Sequence, residues 1–130
     1  MRPEDADMVA SDWKHCYKRN GDWPPYCDRY FVHQDAVIAQ LLPASTVLVA
    51  HDPEDADNAF GWICFSGGAL HFCYVRKMFR LEGVMSRLLE ASGLADNCEV
   101  THWTRAATRL FEGGKVAWRY RPLWLIQEAA

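Results

Sequence analysis

Two apolar segments joined by a pair of glycines constrain the fold of this sequence more than any other feature. Residues 59–65 and 69–75 are rich in aromatic and β-branched side chains, and Ser66, Gly67 and Gly68 separate them. Glycine adopts positive φ angles without steric cost, so such a connection is typical of the tight turn between two antiparallel strands. The sequence therefore predicts a β-hairpin in the middle of the chain.

Helical patterns lie on both sides of this hairpin. Acidic residues crowd the start of the first helix, where the positive end of a helix dipole favours them, and Pro43 is expected to end the second. The expected elements are a helix up to about residue 19, a helix over 30–42, strands over 46–50, 59–65 and 69–75, a helix from 83 to 93, a strand over 98–103, a helix over 104–112 and an extended stretch over 115–126, with an acidic loop over 51–58. This order predicts an α/β fold of the mixed α+β kind, with a central, mostly antiparallel sheet flanked by helices.

The composition is typical of one soluble globular domain, which is expected to cover residues 1–130. Half of the residues are hydrophobic and 24% are charged, which provides a core and excludes a disordered chain. No apolar run approaches the roughly 18–20 residues that a membrane span needs, and the acidic N-terminus lacks the apolar stretch of a signal peptide. We therefore expect a cytoplasmic protein without a membrane-spanning segment.

The net charge of −3 gives no reason to expect binding to nucleic acid. The charge is uneven, since residues 1–65 hold 5 Lys and Arg against 11 Asp and Glu, whereas residues 66–130 hold 9 against 6. A basic second half favours an anionic ligand there, although a solvated surface with uneven charge is an equal alternative. Near the C-terminus aromatic and basic residues alternate, and on a strand this places Trp118, Tyr120 and Trp124 on one face. Such a face either stacks nucleobases or, more plainly, packs on the core.

Five cysteines and five histidines are scattered without the spacing of a metal site. A C-x-x-C pair is absent, so neither a zinc ribbon nor a thioredoxin-like redox centre is supported. A site made of Cys16, Cys27 and His33 matches no standard ligand pattern. Cys64 and Cys73 lie in apolar segments, where a free cysteine behaves as a small hydrophobic side chain. We expect reduced structural thiols and no metal.

The segment that follows the hairpin joins the end of a strand to the start of a helix through a basic loop. Arg76, Lys77 and Arg80 supply positive charge, and Gly83 permits the backbone to approach a ligand closely. Backbone N–H groups at a helix N-terminus have no partner within the helix and bind anions well. These residues are typical of a pyrophosphate cradle, but an ordinary strand-to-helix connection with Gly83 retained for packing explains them equally well.

This segment resembles the signature of the GCN5-related N-acetyltransferases. In that family a strand ends in Val, and Arg/Gln-x-x-Gly-x-Gly/Ala then opens a helix that carries a Leu-Leu pair a turn later. Here the strand ends at Val75, the motif reads Arg80-x-x-Gly83-x-Met85, and a Leu-Leu pair follows. The N-terminal Arg-Pro-Glu-Asp-Ala-Asp segment and the late Arg-Leu-Phe-Glu segment at residues 109–112 are also similar to the family. In element order the resemblance covers most of the chain.

The resemblance implies an acyl-CoA N-acyltransferase-like domain that transfers the acyl group of acetyl-CoA, or of another acyl-CoA, to an amine. Acetyl-CoA would then lie in the gap between the strand ending at Val75 and the strand near Val100. Main-chain N–H groups after Arg80 would bind its pyrophosphate, and the backbone of Val75 would meet the pantetheine or the thioester carbonyl. The cofactor-binding residues that the resemblance implies are Val75, Arg80, Leu81, Glu82, Gly83, Val84 and Met85.

Three departures from the family pattern bear on catalysis. Met85 stands where the family prefers Gly or Ala, so the phosphate loop is expected to be narrower. Phe111 replaces a tyrosine whose hydroxyl often protonates the departing thiolate, and phenylalanine has no such proton to donate. No Asp or Glu occurs between Gly61 and Arg80, so the strand carboxylate that often serves as general base is absent.

His71 is the nearest substitute for the missing base, because an imidazole with a pKa of about 6.5 takes a proton from an amine near neutral pH. Tyr74 is the corresponding candidate for the acid. Both have a plainer explanation, an outward-facing strand histidine and a packed strand aromatic. Direct attack by the amine, with water carrying the proton, also stays open, because positioning alone supplies much of such a rate.

The acceptor amine is not identified by the sequence. Trp13, Trp23 and Tyr26, with Asp22 and Asp28 beside them, lie where the family builds its acceptor site, and they either receive a cationic amine or pack as loop aromatics. The alternative to an enzyme is a protein that keeps the fold and the CoA site for binding or structure, which the missing tyrosine and carboxylate favour. A homodimer is a further open expectation.

Overall fold

A computed structural model describes residues 1–19, 28–80, 82–102, 105–114 and 116–121 of the chain. The elements in chain order are α1 (Asp5–Arg19), α2 (Asp28–Ala44), β1 (Thr46–Asp52), β2 (Asp55–Ser66), β3 (Ala69–Val75), a 3₁₀ turn (Lys77–Phe79), α3 (Val84–Ser92), β4 (Glu99–Val100), α4 (Arg105–Glu112) and β5 (Arg119–Tyr120). Their order is the predicted one.

The strands form one five-stranded sheet in the order β1-β2-β3-β4-β5. β1, β2 and β3 pair antiparallel over long ladders, whereas the short β4 and β5 pair parallel to their neighbours. Side chains of α1 and α2 pack on one face of the sheet, and side chains of α3 and α4 pack on the other. The predicted mixed α+β fold with a central sheet flanked by helices is confirmed.

The central hairpin has the predicted turn. Gly67 and Gly68 take positive φ angles of 56° and 79°, and β3 has the predicted bounds. The prediction of an acidic loop over residues 51–58 is wrong, because β1 continues to Asp52 and β2 already begins at Asp55. The Oδ1 atom of Asp52 accepts the N–H of Glu54 at 2.8 Å and closes the turn. Strand pairing here outweighs the low strand propensity of the acidic residues.

The helix and strand ends differ from the expectations in smaller ways. α2 runs to Ala44, so Pro43 lies in its last turn instead of ending it. A proline there removes a single helical hydrogen bond, which the end of a helix tolerates better than its interior. The late strands are shorter than predicted, since only Glu99–Val100 and Arg119–Tyr120 pair within the described residues.

A β-bulge at His71 determines which face each side chain of β3 joins. Cys64 pairs with Phe72 and Phe65 pairs with Leu70, so His71 is an extra residue in β3. Successive residues of a regular strand point to opposite faces, which would place Leu70 and Phe72 on the same face. Instead Leu70 packs under α3 and α4, and Phe72 packs under α1 and α2.

The core therefore consists of two clusters separated by the sheet. The cluster on the side of α1 and α2 has as its buried members Val9, Trp13, Ile38, Val47, Trp62, Cys64 and Phe72. The cluster on the side of α3 and α4 has as its buried members Ile63, Leu70, Leu88, Cys98, Val100, Ala107 and Trp118. In the first cluster the Trp13 ring stacks on Phe72 at a centroid distance of 5.0 Å and lies 5.8 Å from Trp62.

The N-terminus is fastened to β2 by Arg2. Its guanidinium donates to Asp5 Oδ1 at 2.9 Å, to the carbonyl of Ala56 at 3.1 Å and to Asp57 Oδ1 at 3.0 Å. The Asp5 side chain is 9% exposed, whereas that of Asp57 is 85% exposed. Hydrogen bonds from Arg2 hold the pKa of the Asp5 carboxyl below its usual value of 3.8.

We expect Asp5→Asn to lower the thermal stability of the protein at pH 7 by several degrees. A carboxyl whose pKa is lower in the folded state than in the unfolded state stabilises the fold at pH values above its usual pKa. This contribution is lost as the pH falls below 3.8. The difference between Asp5→Asn and the wild type should therefore shrink in acid. Asp57→Asn is the matched control, because this partner of Arg2 is exposed and an exposed ion pair contributes little. Equal destabilisation by both variants would contradict the assignment.

Candidate functional site

The parallel ladder between β3 and β4 is short. Ala69 pairs with Glu99 and Leu70 with Val100, and the N–H of Thr101 donates to the carbonyl of Leu70 at 3.0 Å. β4 ends at Val100, while β3 continues for five residues to Val75. The described ladder thus ends at Leu70 and Val100, where the gap was predicted, and we call the region between residues 71–75 and residues 100–102 the cleft.

A small cavity of about 20 Å³ lies at this cleft. Its walls come from β3, the β4 segment, α3, α4 and the residue before β5, namely Leu70, His71, Phe72, Cys73, Met85, Val100, His102, Ala107, Leu110 and Trp118. These residues belong to both faces of the sheet, because Phe72 packs towards α1 and Leu70 towards α3. The cavity is thus apolar apart from two imidazole rings and a thiol, and its walls include residues from both faces of the sheet.

His71, the predicted base, is 4% exposed and held on both sides by hydroxyl groups. Its Nε2 lies 2.7 Å from Ser66 Oγ, and its Nδ1 lies 2.9 Å from Thr101 Oγ1. The bulge in β3 directs the ring towards the start of the cleft instead of outwards, so the outward-facing arrangement does not occur. Burial lowers the pKa of His71 below its usual value of 6.5, and the ring is neutral at pH 7.

His102 joins the same group of polar side chains. Its Nδ1 lies 2.9 Å from Thr101 Oγ1, and its ring makes an edge contact with Trp13 at a centroid distance of 5.3 Å. Burial, and then repulsion by His71, lowers the pKa of His102 to about 4, although a hydrogen bond with the His71 backbone opposes this shift. Sequence reasoning missed Ser66, Thr101 and His102, because residues separated by up to 36 positions meet only through the bulge and the strand ladder.

The basic loop between β3 and α3 has the expected local geometry. Gly83 takes a positive φ of 81° and directly precedes α3, and a Cβ atom built on it would meet no protein atom within 4 Å. Glycine is therefore required there by the backbone conformation and not by close packing. Arg80 Nε donates to the carbonyl of Val75 at 2.9 Å, which ties the loop to the end of β3.

The remaining cofactor-binding candidates are placed as follows. Glu82 is exposed, Val84 packs at the edge of the cluster under α3 and α4, and Met85 lines the cavity. Leu81 lies outside the described residues. Met85 is larger than the Gly or Ala that the resemblance implies, and it is one of the residues that line the cavity.

Tyr74, the predicted acid, lies on the opposite side of β3 from Cys73 and is absent from the walls of the cavity. It pairs with Trp62 across the strands, with their ring centroids 6.2 Å apart. Burial, and then the negative charge of Asp12, raises the pKa of Tyr74, so its phenol is protonated at neutral pH. The structure therefore brings His71, but not Tyr74, to the cavity itself.

Asp12 is a carboxylate near the end of β3 that comes from α1 and not from a strand. Its Oδ2 accepts the indole N–H of Trp62 at 3.1 Å. Burial raises the pKa of Asp12, although the hydrogen bond from Trp62 opposes this shift. The sequence contains no signal for this pair, because its two residues are 50 positions apart.

Several aromatic residues differ from their predicted roles. Trp13 is fully buried, so of its two predicted roles it packs in the core and does not form an open surface for an acceptor amine. Trp118 is 6% exposed and Tyr120 is 55% exposed, so the single aromatic face predicted near the C-terminus is wrong for these two residues. The short β5 begins only after Trp118, so Trp118 and Tyr120 do not follow the regular alternation of side chains along one strand.

Phe111 is 47% exposed, whereas Ala107 and Leu110 of α4 line the cavity.

The other acceptor and metal candidates lie outside the residues or side chains that the structure describes, namely Asp22, Trp23, Tyr26, Cys27, Asp28, His33 and Trp124. Among the described residues no group of three His, Cys, Asp or Glu side chains has the arrangement of metal ligands. In the same part of the chain no helix has the length and apolar character needed to cross a membrane.

No protein-family model matches the chain, and no curated protein matches it in sequence. Solved structures do match in fold. A GCN5-related N-acetyltransferase from Rhodopseudomonas palustris has a TM-score of 0.60 and 17% identity, with 87% of this chain and 76% of that chain covered. The apo form of YjaB from Escherichia coli has a TM-score of 0.53 and 20% identity, with 71% of this chain and 60% of that chain covered. The chain therefore has a fold like that of the GCN5-related N-acetyltransferases, as the sequence motifs predicted.

The neutral histidines at the cleft predict a stability that depends on pH. A histidine whose pKa is lower in the folded chain binds fewer protons when folded, so stability falls as the pH decreases from 6.5 towards about 4. His102→Gln should reduce this loss by on the order of 3 kcal/mol at pH 4. Chemical denaturation between pH 8 and pH 4 measures the effect.

The matched control for this measurement is His51→Gln, which changes an exposed histidine at the end of β1. We expect this variant to lose stability in parallel with the wild type as the pH falls. A parallel loss in His102→Gln as well would contradict the burial of a neutral imidazole at the cleft.

Proposed function

We propose that this protein is an acyl-CoA-dependent N-acetyltransferase that transfers an acetyl group from acetyl-CoA to an amine. The observation that carries the proposal is the cleft between β3 and β4, which opens beside a glycine-initiated helix and contains an apolar cavity with imidazole rings. This arrangement occurs in a fold similar to that of a GCN5-related N-acetyltransferase.

The phosphates of the cofactor would bind at the start of α3. The N–H groups in the first turn of a helix have no partner within the helix, and the helix dipole adds to their attraction for anions. In this proposal the main chain of Leu81, Glu82, Gly83, Val84 and Met85 holds the pyrophosphate. The positive φ of Gly83 sets the direction of these groups, and the backbone is open to solvent at that point.

The basic side chains around this loop support the same proposal. Lys77, Arg80 and Arg87 are exposed and lie just before or within the first turns of α3. Arg80 holds the carbonyl of Val75 at 2.9 Å, so the loop and the strand end are joined. The pantetheine arm would run from the loop into the cleft and meet the backbone of Val75, where an N–H or carbonyl dipole orients the thioester.

The chemistry requires a neutral amine, a proton acceptor and a route for the thiolate to regain a proton. His71 is proposed as the acceptor, since its neutral ring stands at the start of the cleft. Tyr74 is proposed as the donor because it lies one residue before Val75, although its ring packs on the side of α1 and α2 and would have to reach the thiolate from there. Apolar walls around the thioester would exclude water and strengthen the interactions within the site.

A second candidate function, binding of acyl-CoA without efficient transfer, is favoured by Phe111. This ring cannot protonate a thiolate, and it is 47% exposed instead of lining the cavity. The two candidates differ in one measurement, the release of CoA thiol when amines of different classes are added with acetyl-CoA. An enzyme gives release that depends on the amine, whereas a binding protein gives stabilisation by acetyl-CoA alone.

Gly83→Glu should abolish the binding of acetyl-CoA, as measured by calorimetry on the folded protein. The substitution forces a side chain into a left-handed backbone and places a negative charge beside the proposed pyrophosphate site. We expect the heat of binding to fall below detection, while the protein remains folded.

Gly93→Glu is the matched control, because Gly93 lies at the other end of α3 with a similar φ of 72° and equally open surroundings. It carries the same backbone strain and the same charge change but is remote from the proposed phosphates. Unchanged affinity in Gly83→Glu, or equal loss in both variants, would show that the start of α3 does not bind the cofactor.

A further inference from the structure

Arg76 places a guanidinium on the α1 side of the sheet, at the end of β3. Its backbone N–H donates to the carbonyl of Phe60 at 2.9 Å, so the pairing with β2 continues one residue beyond Val75. Side chains alternate along a strand, so Arg76 lies on the same face as Tyr74, whose ring packs against the cluster under α1 and α2. The Nη2 atom of Arg76 lies 3.9 Å from the sulfur of Met8, a residue of α1. The positive charge therefore lies beside α1.

Asp12 places a carboxylate on the same face of α1 as Met8. The two residues are one helical turn apart, and such residues are neighbours on a helix, with about 5–6 Å between their Cβ atoms. Asp12 Oδ2 accepts the indole N–H of Trp62 at 3.1 Å, which orients the carboxylate towards the sheet. The other carboxylate oxygen has no hydrogen-bond donor among the described residues. It can therefore accept hydrogen bonds from a ligand.

The opposite charges of Asp12 and Arg76 act on each other without forming an ion pair. Burial raises the pKa of Asp12, and the hydrogen bond from Trp62 and the positive charge of Arg76 oppose this rise. Both side chains are half-buried, and neither takes part in an ion pair within the described ranges. A charge that is partly removed from water is stabilised when a group of opposite charge binds it directly. A ligand that carries one cation and one anion supplies such a partner to each residue.

Tyr74 adds a neutral hydroxyl to this pair of charges. Burial, and then the negative charge of Asp12, raises the pKa of its phenol, whereas the positive charges of Arg80 and Arg76 lower it. The phenol thus lies within electrostatic range of both charged groups, and a protonated phenol both donates and accepts hydrogen bonds. Arg80 already donates to the carbonyl of Val75 at 2.9 Å, so Arg76 is the better candidate to bind an anion here.

We propose that Asp12 and Arg76 bind the acceptor of the acetyl group, and that this acceptor is a free amino acid. Its ammonium group would donate to the Asp12 carboxylate, and its carboxylate would accept two parallel hydrogen bonds from the Arg76 guanidinium. Hydrogen bonds between charged partners are the strong ones, and the planar guanidinium matches the geometry of a carboxylate. This inference rests on the proposed function and names the substrate class of that function.

The two charges separate a free amino acid from other amines. A polyamine or a lysine side chain would give Asp12 a cation but would offer no anion to Arg76. The N-terminus of a protein carries a neutral peptide bond where a free amino acid carries its carboxylate. A charge left unpaired by the wrong partner is a common source of specificity. Of these acceptors, the free amino acid supplies both charges at a short separation.

The position of this pair suits transfer from an acyl-CoA bound as proposed above. Arg76 directly follows Val75, whose backbone would meet the thioester, and Asp12 approaches from the α1 side, opposite to α3. In the transfer the amine nitrogen bonds to the thioester carbon, and the carbon–sulfur bond breaks. The ammonium loses two protons, of which one passes to the proposed base His71 and then to solvent. The other replaces the proton that Tyr74 gives to the departing thiolate.

Release of CoA thiol from acetyl-CoA tests this inference when it is measured with a panel of free amino acids and with the corresponding amino acid amides. Each pair shares its amine and its side chain, and the amide lacks the carboxylate. We expect at least one free amino acid to be acetylated, with a kcat/KM about 10- to 100-fold above that of its amide. This is the range for the loss of one hydrogen-bonded contact between charged groups.

Arg76→Gln should remove most of this preference for the acid over the amide, because glutamine has no charge to offer the carboxylate. Arg76→Lys should keep part of the preference, since lysine retains the charge but not the paired donors. The ratio of the two kcat/KM values is the measurement, and a general loss of stability would not change this ratio.

Asp12→Asn should lower kcat/KM for the acid and for the amide alike, by at least about 10-fold, because both carry the ammonium group. The KM for acetyl-CoA should change little, and asparagine can still accept the N–H of Trp62. Asp7→Asn is the matched control, since Asp7 is an exposed carboxylate of α1. This control should keep both the rate and the preference of the wild type.

The outcomes distinguish the amino acid site from the proposed function. A preference that is unchanged in Arg76→Gln, or transfer to amides and spermidine as fast as to free amino acids, would overturn the site and leave the proposed function standing. Absence of transfer to every class of amine would overturn the proposed function, and backbone amide NMR with the same panel then decides on the site. Saturable shifts at Asp12 and Arg76 with a free amino acid but not with its amide would support the site, and their absence would overturn it.

Discussion

The hydrogen bonds that Thr101 makes to β3 determine where the sheet stops being continuous. Its N–H closes the last described backbone contact with Leu70, and its hydroxyl then bonds to the side chain of the bulged His71. A contact between side chains thus follows the last described ladder pair, and the cleft begins here. The same bulge turns Phe72 and Leu70 to opposite faces, so β3 contributes to the core clusters on both sides of the sheet.

The electrostatic character of the cleft follows from its position between these clusters. Trp13, Phe72 and the apolar side chains of α3 and α4 surround the imidazole rings and keep them neutral. Positive charge is instead placed outside, on the loop that leads to Gly83. In the function proposed above, the phosphates of acyl-CoA would meet the basic loop and its thioester would enter the apolar cleft.

Local patterns predicted what depends on local chemistry. The Gly67-Gly68 turn, the bounds of β3 and the start of α3 after Gly83 follow from backbone preferences, and the structure has them. The sequence did not predict the bulge, because the apolar residues of β3 are compatible with a regular strand as well as with a strand that has an extra residue. Contacts between distant positions, such as Asp12 with Trp62, depend on how the helices dock and are invisible to spacing along the chain.

The central claim is that the cleft between β3 and β4 holds acetyl-CoA, and backbone amide NMR during titration with acetyl-CoA tests it most directly. The account predicts saturable shifts at residues 72–75 of β3 and at Gly83, Val84 and Met85, with little change along β1. Larger shifts at β1 or near Arg2, or no saturable shift at millimolar acetyl-CoA, would contradict it.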